Sequence, residues 1–348
     1  MRARRLIGGL VGLGLVAAAC ASEPSVPGIS GTSAPGTSRP GTSAPGTSVP
    51  GTSVPGTSVP GTSVPGTSAP GTSAPGTSAT GTSVPGTSAT AGRDWIALTP
   101  GTSWQWQIDG ETIDESILDD VANQKKMFDV DLFATDAATI SRLQTKGIVV
   151  VCYMETGGWE SYRPDAASYP EAVLGEQVDG YPDERFVDIR QLDVLMPILR
   201  SRLDLAASKG CDGIEPDLDD TYASDDTGFP LSQADQLVFN RAVADAAHQR
   251  GMSIGLKNGA TADGSFERAM VEFTDWALNE ECNVYDECAG YAVYIAAGKA
   301  VFQVEYTKPN GTGLDDFCPA DNAADFDGIL KESSDSLGAL PRTACRFE

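Results

Sequence analysis

Histidine is almost missing from this chain: His248 is the only one among 348 residues. Nucleophile systems of the Ser-His-Asp or Cys-His kind depend on imidazole, and zinc sites recruit it or paired thiolates, so neither suits this composition. The lone ring falls near the end of a helical pattern over 234–250, where an interaction with the helix terminus accounts for it. Basic residues are also scarce, with 24 Lys and Arg against 48 Asp and Glu and a net charge of −24. So acidic a chain is a poor partner for nucleic acid. No glycine-rich phosphate loop follows the first predicted strand, which argues against a dinucleotide-binding sheet. The apolar run over 6–19 is too short to cross a bilayer.

What that run does suggest is export. Arg2, Arg4 and Arg5 precede it, as in a signal peptide. The ending Ala17-Ala18-Ala19-Cys20 resembles a bacterial lipobox, with Ala17 where leucine is commoner. Cys20 is therefore expected to carry lipid, and residues 1–20 to be a lipoprotein signal peptide; cleavage and release is the alternative. Within the linker expected at 21–93, the unit GTS[AVR]P recurs every five residues over 31–88, with no aromatics and almost no charge. Nothing there can be buried against the entropy of ordering, so a disordered tether is expected. About sixty such residues span ~40 Å as a coil and up to ~190 Å in polyproline geometry. The folded domain is then 94–348, and it is more acidic than the whole chain because the leader and tether are slightly basic. Placement on the outer face of a bacterial membrane, held by lipid alone, follows as an expectation, and a monomer is expected.

Six further cysteines fit an oxidising compartment. Cys282 and Cys288 are near enough in sequence to clip one loop, and Cys318 can reach Cys345 to pin the carboxyl terminus. Cys152 and Cys211 fall at apparently different depths and are expected to be buried thiols.

Near-continuous apolar runs alternate with amphipathic patterns through the domain. Strands are expected at 104–108, at FDVDLF, IVVVCYM, CDGIEPD, SIGL, DWALN and AVFQV, and near 337–340; helices at 137–146, 192–209, 234–250, 266–273 and 324–331. About eight βα units make an α/β fold, the (β/α)8 TIM barrel, with an open doubly wound sheet as the alternative. In such a barrel the active site lies at the carboxyl ends of the strands, and polar residues follow the strands here: Asp131, Glu155, Glu215, Asp217, Lys257, Asn258, Glu280, Glu305 and Tyr306.

Carboxylates crowd most densely in CDGIEPDLDD, where Glu215, Asp217, Asp219 and Asp220 lie together. Ionised neighbours repel and resist leaving water, so such a group needs a partner or a task. An EF-hand starting at Asp217 fails, because Tyr222 stands where glycine is required and Gly228 where a bidentate glutamate belongs. No metal or other cofactor is expected, with a metal-dependent hydrolase on Asp217 and Asp219 as a lesser alternative. Glycoside hydrolysis asks for two carboxyl groups flanking a sugar ring, ~5 to 5.5 Å apart in retaining and ~6.5 to 9.5 Å apart in inverting enzymes. Asp217 and Glu280, two strands apart on the barrel, are the candidate catalytic pair, with Lys257 and Asn258 between them to hold one ionised. Pro216 suggests that strand pairing stops there and leaves Asp217 on the rim. Trp106, Tyr153, Trp159, Tyr222 and Tyr306 could stack on sugars, although core packing explains such rings equally well.

The segments FDVDLF, VVCYMETGGWESYRPD, ERFVDIR, KGCDGIEPDLDDTY, TGFPLSQADQ, AHQRGMSIGLKN, NEEC with DEC, and GKAVFQVEY together resemble glycoside hydrolase family 114, the endo-α-1,4-polygalactosaminidase group of (β/α)8 proteins. The resemblance implies hydrolysis of α-1,4-linked, partly N-acetylated galactosamine polymer. It places the acids at Asp217 of EPDL and Glu280 of NEEC. Around them, Asp131, Tyr153, Glu155, Glu215, Asp219, Tyr222, Lys257, Asn258, Glu305 and Tyr306 are expected to meet substrate or tune the pair. One departure is Leu218, where the family usually has asparagine. That change motivates a second reading, a polysaccharide-binding surface lipoprotein that has lost catalysis.

Overall fold

The structure is a computed structural model, and it describes residues 95–109, 113, 126–334 and 337–346. The expectations for 1–20, for Cys20 and for the repeat up to residue 93 lie outside these.

Eight strands run parallel in chain order: β1 (Trp104–Gln107), β2 (Met127–Asp131), β3 (Val149–Glu155), β4 (Gly213–Asp217), β5 (Ser253–Lys257), β6 (Trp276–Glu280), β7 (Val301–Tyr306) and β8 (Asp327–Lys331). Helices α1 (Ala137–Thr145), α2 (Leu192–Lys209), α3 (Gln233–His248), α4 (Ser265–Met270), α5 (Cys282–Tyr285), α6 (Ala292–Ala296) and α7 (Leu314–Ala324) occupy the connections. Side chains of a strand alternate between faces, and here the two faces carry separate cores. Phe128, Val130, Val150, Cys152, Met154, Ile214 and Ile254 point outward to the helices. Trp104, Trp106, Met127, Val151, Trp276, Leu278, Phe302, Val304 and Ile329 fill the interior of the curled sheet.

Two expectations about the carboxyl-terminal part are overturned. Residues 324–331 are not a helix: α7 stops at Ala324, Asp325 turns left-handed at φ 66°, and Asp327–Lys331 pairs with β7 as the eighth strand. A short apolar run carries no periodicity that separates a buried strand from a buried helix. Residues 337–340 are not a strand either. The chain instead returns antiparallel to β8 at Thr343–Ala344. This segment sits where β8 and β1 would meet, since Arg342 Nε donates to the Trp104 carbonyl and Gln105 Nε2 to that of Ala339. Trp104 Nε1 crosses the seam directly to the Asp327 carbonyl at 2.7 Å.

A third correction concerns Cys152 and Cys211, which form a disulfide rather than thiols. Gly210, left-handed at φ 92° after α2, turns Cys211 toward β3 and brings the two Cα atoms to 6.0 Å. Cys282–Cys288 and Cys318–Cys345 are bonded as expected. Between β3 and α2 lies an element the apolar pattern does not announce, a three-stranded antiparallel sheet of Gly158–Glu160, Leu174–Gln177 and Glu184–Val187.

At the amino-terminal end of the barrel strands, His248 closes α3 with Nε2 2.8 Å from Asp275 Oδ2, and Trp95 stacks flat on its ring at 3.8 Å. His248 is therefore a structural contact on the floor, at the opposite end from the strand termini that carry Asp217 and Glu280.

Candidate active site

Alternation along the strands aims Tyr153, Glu215, Asp217, Lys257, Glu280 and Tyr306 at one point. At its centre is the ammonium of Lys257, 2.8 Å from Glu215 Oε1 and 3.5 Å from both Asp217 Oδ1 and Glu280 Oε2. The nearest oxygens of Asp217 and Glu280 are thus no farther apart than twice that last distance. That upper bound falls below the ~9.5 Å limit for flanking glycosidase carboxylates. Burial works against the charge on Lys257, but Asp217, Glu215 and Glu280 outweigh it and hold the lysine well above its usual range. It stays an ammonium.

Access separates the three acids. Glu215 is wholly buried, whereas the side chains of Asp217 and Glu280 are 24% and 23% exposed. Each open carboxylate has its own set of donors. Asp217 Oδ2 accepts from Tyr153 Oη at 2.9 Å and Oδ1 from the Leu218 N–H at 2.9 Å. Glu280 Oε1 accepts from Tyr306 Oη at 2.5 Å and Oε2 from Asn258 Nδ2 at 3.1 Å, while Asn258 Oδ1 accepts from the Glu280 N–H at 2.9 Å. Burial, then the adjoining carboxylate, pushes both tyrosines well above the usual phenol range, so they remain donors.

The backbone at this mouth is strained in a repeated way. Leu218, Asn258 and Glu281, each directly after a site residue at the end of β4, β5 or β6, have φ of 51°, 55° and 58°. Left-handed non-glycine residues are uncommon and gather at functional sites. At Leu218 the neighbour is constrained too, because a Cβ on Gly157 would stand 1.9 Å from the Leu218 carbonyl oxygen. Pro216 interrupts pairing on one side only: the register with β5 ends at Ile214, but that with β3 continues to Asp217.

The remaining expected site residues lie around this point, and Glu155 is in register with Asp217 on the neighbouring strand. Asp131 caps the turn after β2, accepting from the Phe133 and Ala134 N–H groups, and its Oδ2 is 2.7 Å from Arg163. Glu155 is 2% exposed beside Gly158. Asp219 is buried between β4 and β5, accepting from the Lys257 N–H at 3.2 Å. Tyr222 packs against Phe266 with the rings tilted by 48°, 5.1 Å between their centres. Glu305 lies under the loop after β6, accepting from the Asn283 N–H at 3.0 Å. Trp106 is buried and donates Nε1 to Glu215 at 2.9 Å, and Trp159 donates to the Ala166 carbonyl. Sequence reasoning missed Asp129, inward on β2 and fully buried beside Glu215. The signal was present in FDVDLF, where Asp129 and Asp131 share one face of the strand. Among the described residues no group of three or more His, Cys, Asp or Glu is arranged to hold a metal ion.

A comparison with curated proteins finds no match. Among solved structures, the crystal structure of Aspergillus fumigatus Ega3 in complex with galactosamine is similar at 33% identity, covering 72% of this chain and 99% of that one, with a TM-score of 0.61. The glycoside hydrolase domain of Pseudomonas aeruginosa PelA is a more distant match, at 11% identity, 67% and 94% coverage and a TM-score of 0.48. The family model described as Glycoside-hydrolase family GH114 matches residues 86–345. With eight parallel strands ending on a mouth of carboxylates, a family match over most of its length and a relative one-third identical, the chain belongs to glycoside-hydrolase family GH114 and is a glycoside hydrolase.

Proposed function

We propose that this protein is an exported hydrolase of α-1,4-linked galactosamine polymer, with Asp217 as nucleophile or base and Glu280 as general acid. The observation that carries the catalytic assignment is the contrast in exposure around one ammonium: of the three carboxylates on Lys257, only Asp217 and Glu280 open to solvent. Lys257 sets a positive charge beside Asp217 and Tyr153 donates to it, surroundings suited to a group that attacks carbon or deprotonates water. Glu280, across the gap, protonates the leaving oxygen, and Tyr306 and Asn258 fix its orientation. Galactosamine as the sugar is supported by the ligand in the Ega3 crystal structure. The excess of 48 acidic over 24 basic residues favours a polymer bearing free amines.

Release of reducing ends from galactosamine polymer tests this reading. Asp217→Asn and Glu280→Gln should each lower turnover by about 10² to 10⁴ while leaving binding of the polymer measurable. A variant at either position that keeps wild-type turnover would refute the pair. Export and lipidation of Cys20 are supported by the basic leader, the short apolar run and the Ala-Ala-Ala-Cys ending. In a bacterial host, Cys20→Ala should move the protein from the detergent phase to the aqueous phase; equal partitioning of both forms would rule the anchor out.

A further inference from the structure

Asp129 poses a charge problem that the proposed mechanism does not use. It points into the barrel from β2, is wholly buried, and among the described residues no side chain donates to Oδ1 or Oδ2, only the adjoining Val130 N–H approaching the carboxyl. Its strand neighbours in register, Trp106 on β1 and Val151 on β3, do not titrate. The charged groups facing it are Glu215 on β4, within hydrogen-bond reach, and Lys257 on β5. Two touching carboxylates in so dry a place cannot both be ionised.

The donors decide which of them holds the proton. Glu215 already accepts from Lys257 Nζ on one oxygen and from Trp106 Nε1 on the other. A carboxylate with about four lone-pair positions has room for a third donor. Asp129 has no side-chain donor, only the Val130 N–H beside it, and a proton would turn it into a donor. Burial and the Glu215 charge together push its carboxyl well above the usual range, in line with that assignment.

We propose that Asp129 is a protonated carboxylic acid that donates its hydrogen to Glu215, and so acts as a positioning residue that sets how much of the Lys257 charge reaches Asp217 and Glu280. This rests on the reading of those two acids as the catalytic pair. With Asp129 donating, Glu215 is a weaker partner and the ammonium stays shared among three carboxylates. Without that donor, Glu215 draws Lys257 toward itself. Asp217 and Glu280 then lose part of the positive charge beside them, and the limbs of the pH profile of turnover move upward.

Two substitutions and two readouts test the proposal. Asp129→Asn keeps a donor toward Glu215 but cannot ionise. It should remove a protonated-carboxyl C=O stretching band from the infrared spectrum at neutral pH, and leave both limbs of the pH profile of kcat/KM in place. If Asp129 were ionised instead, no such band would disappear, and loss of its negative charge would move both limbs to lower pH; either result overturns the proposal. Asp129→Leu removes the donor, so both limbs should move upward by about one pH unit and kcat should fall about tenfold with KM little changed. A merely structural residue would alter stability and leave the limbs where they were. Should the leucine variant fail to fold, the asparagine variant decides alone. The infrared measurement needs no turnover, so it stands even if the hydrolase reading fails.

Discussion

At the scale of single residues, Leu218 shows how the site combines strain with orientation. The left-handed turn at φ 51° is what points the Leu218 N–H back at Asp217 Oδ1. For an L-residue with a branched aliphatic side chain this conformation costs ~1 to 2 kcal/mol, whereas asparagine visits it readily. Leu218→Asn should therefore stabilise the domain by about 1 kcal/mol and raise its melting temperature by ~2 to 4 °C, read by calorimetry. A lower melting temperature would mean that the leucine side chain contributes more by packing than its backbone costs. Most of the pair's setting was legible at this scale, since Asp217, Lys257, Asn258 and Glu280 all stand at strand ends marked by an apolar run followed by polar residues. Asp129 was not, because it lies inside such a run, where only the parity of the strand says which way it faces. Asp131 at the run's end drew attention instead and serves the turn.

At the scale of elements, strands β2 to β7 could be read from short runs rich in apolar residues, because a parallel sheet covered on both faces needs apolar side chains on each. β8 escaped because a five-residue buried strand and the end of a helix look alike without tertiary partners. The sheet of 158–187 escaped for a different reason. Its strands are three or four residues long and mix Glu184, Arg185 and Gln177 with few apolar positions, so they depend on packing over the barrel rather than on their own pattern. Glu184 on this sheet is pushed up to about 7 by burial, with Glu160 and Asp217 adding to it. The Cys152–Cys211 disulfide belongs to this scale too, as it closes a loop with a sequence separation of 59 that spans the extra sheet and α2. In the loop-entropy model such a closure is worth about 4 kcal/mol, so the double variant Cys152→Ala/Cys211→Ala should melt on the order of 10 °C lower. A melting point unchanged within a degree would show that β3 and α2 hold this corner without it.

For the whole molecule, buried acids set the response to pH. Burial pushes Glu305 and Asp327 up to about 7 and Asp321 up to about 6. A carboxyl whose folded value lies above its unfolded value of ~4 contributes stability that is complete below the lower value and lost as pH rises through the upper one. Lys331, lowered to about 7 by burial and then by Arg342, is charged in both states below that pH and does not oppose this trend there. The melting temperature should accordingly be higher at pH 5 than at pH 7.5, by about 5 to 10 °C. A flat or rising curve over that interval would show that these acids do not hold their protons in the fold, and Asp321→Asn with Glu305→Gln should flatten the slope.

The stacking of Trp95 on His248 fixes where the described chain enters the barrel. His248 lies at the amino-terminal end of the strands, so that entry is opposite the mouth that carries Asp217 and Glu280. Floor and mouth are thus separate ends, and a change at Trp95 touches the first without touching the second.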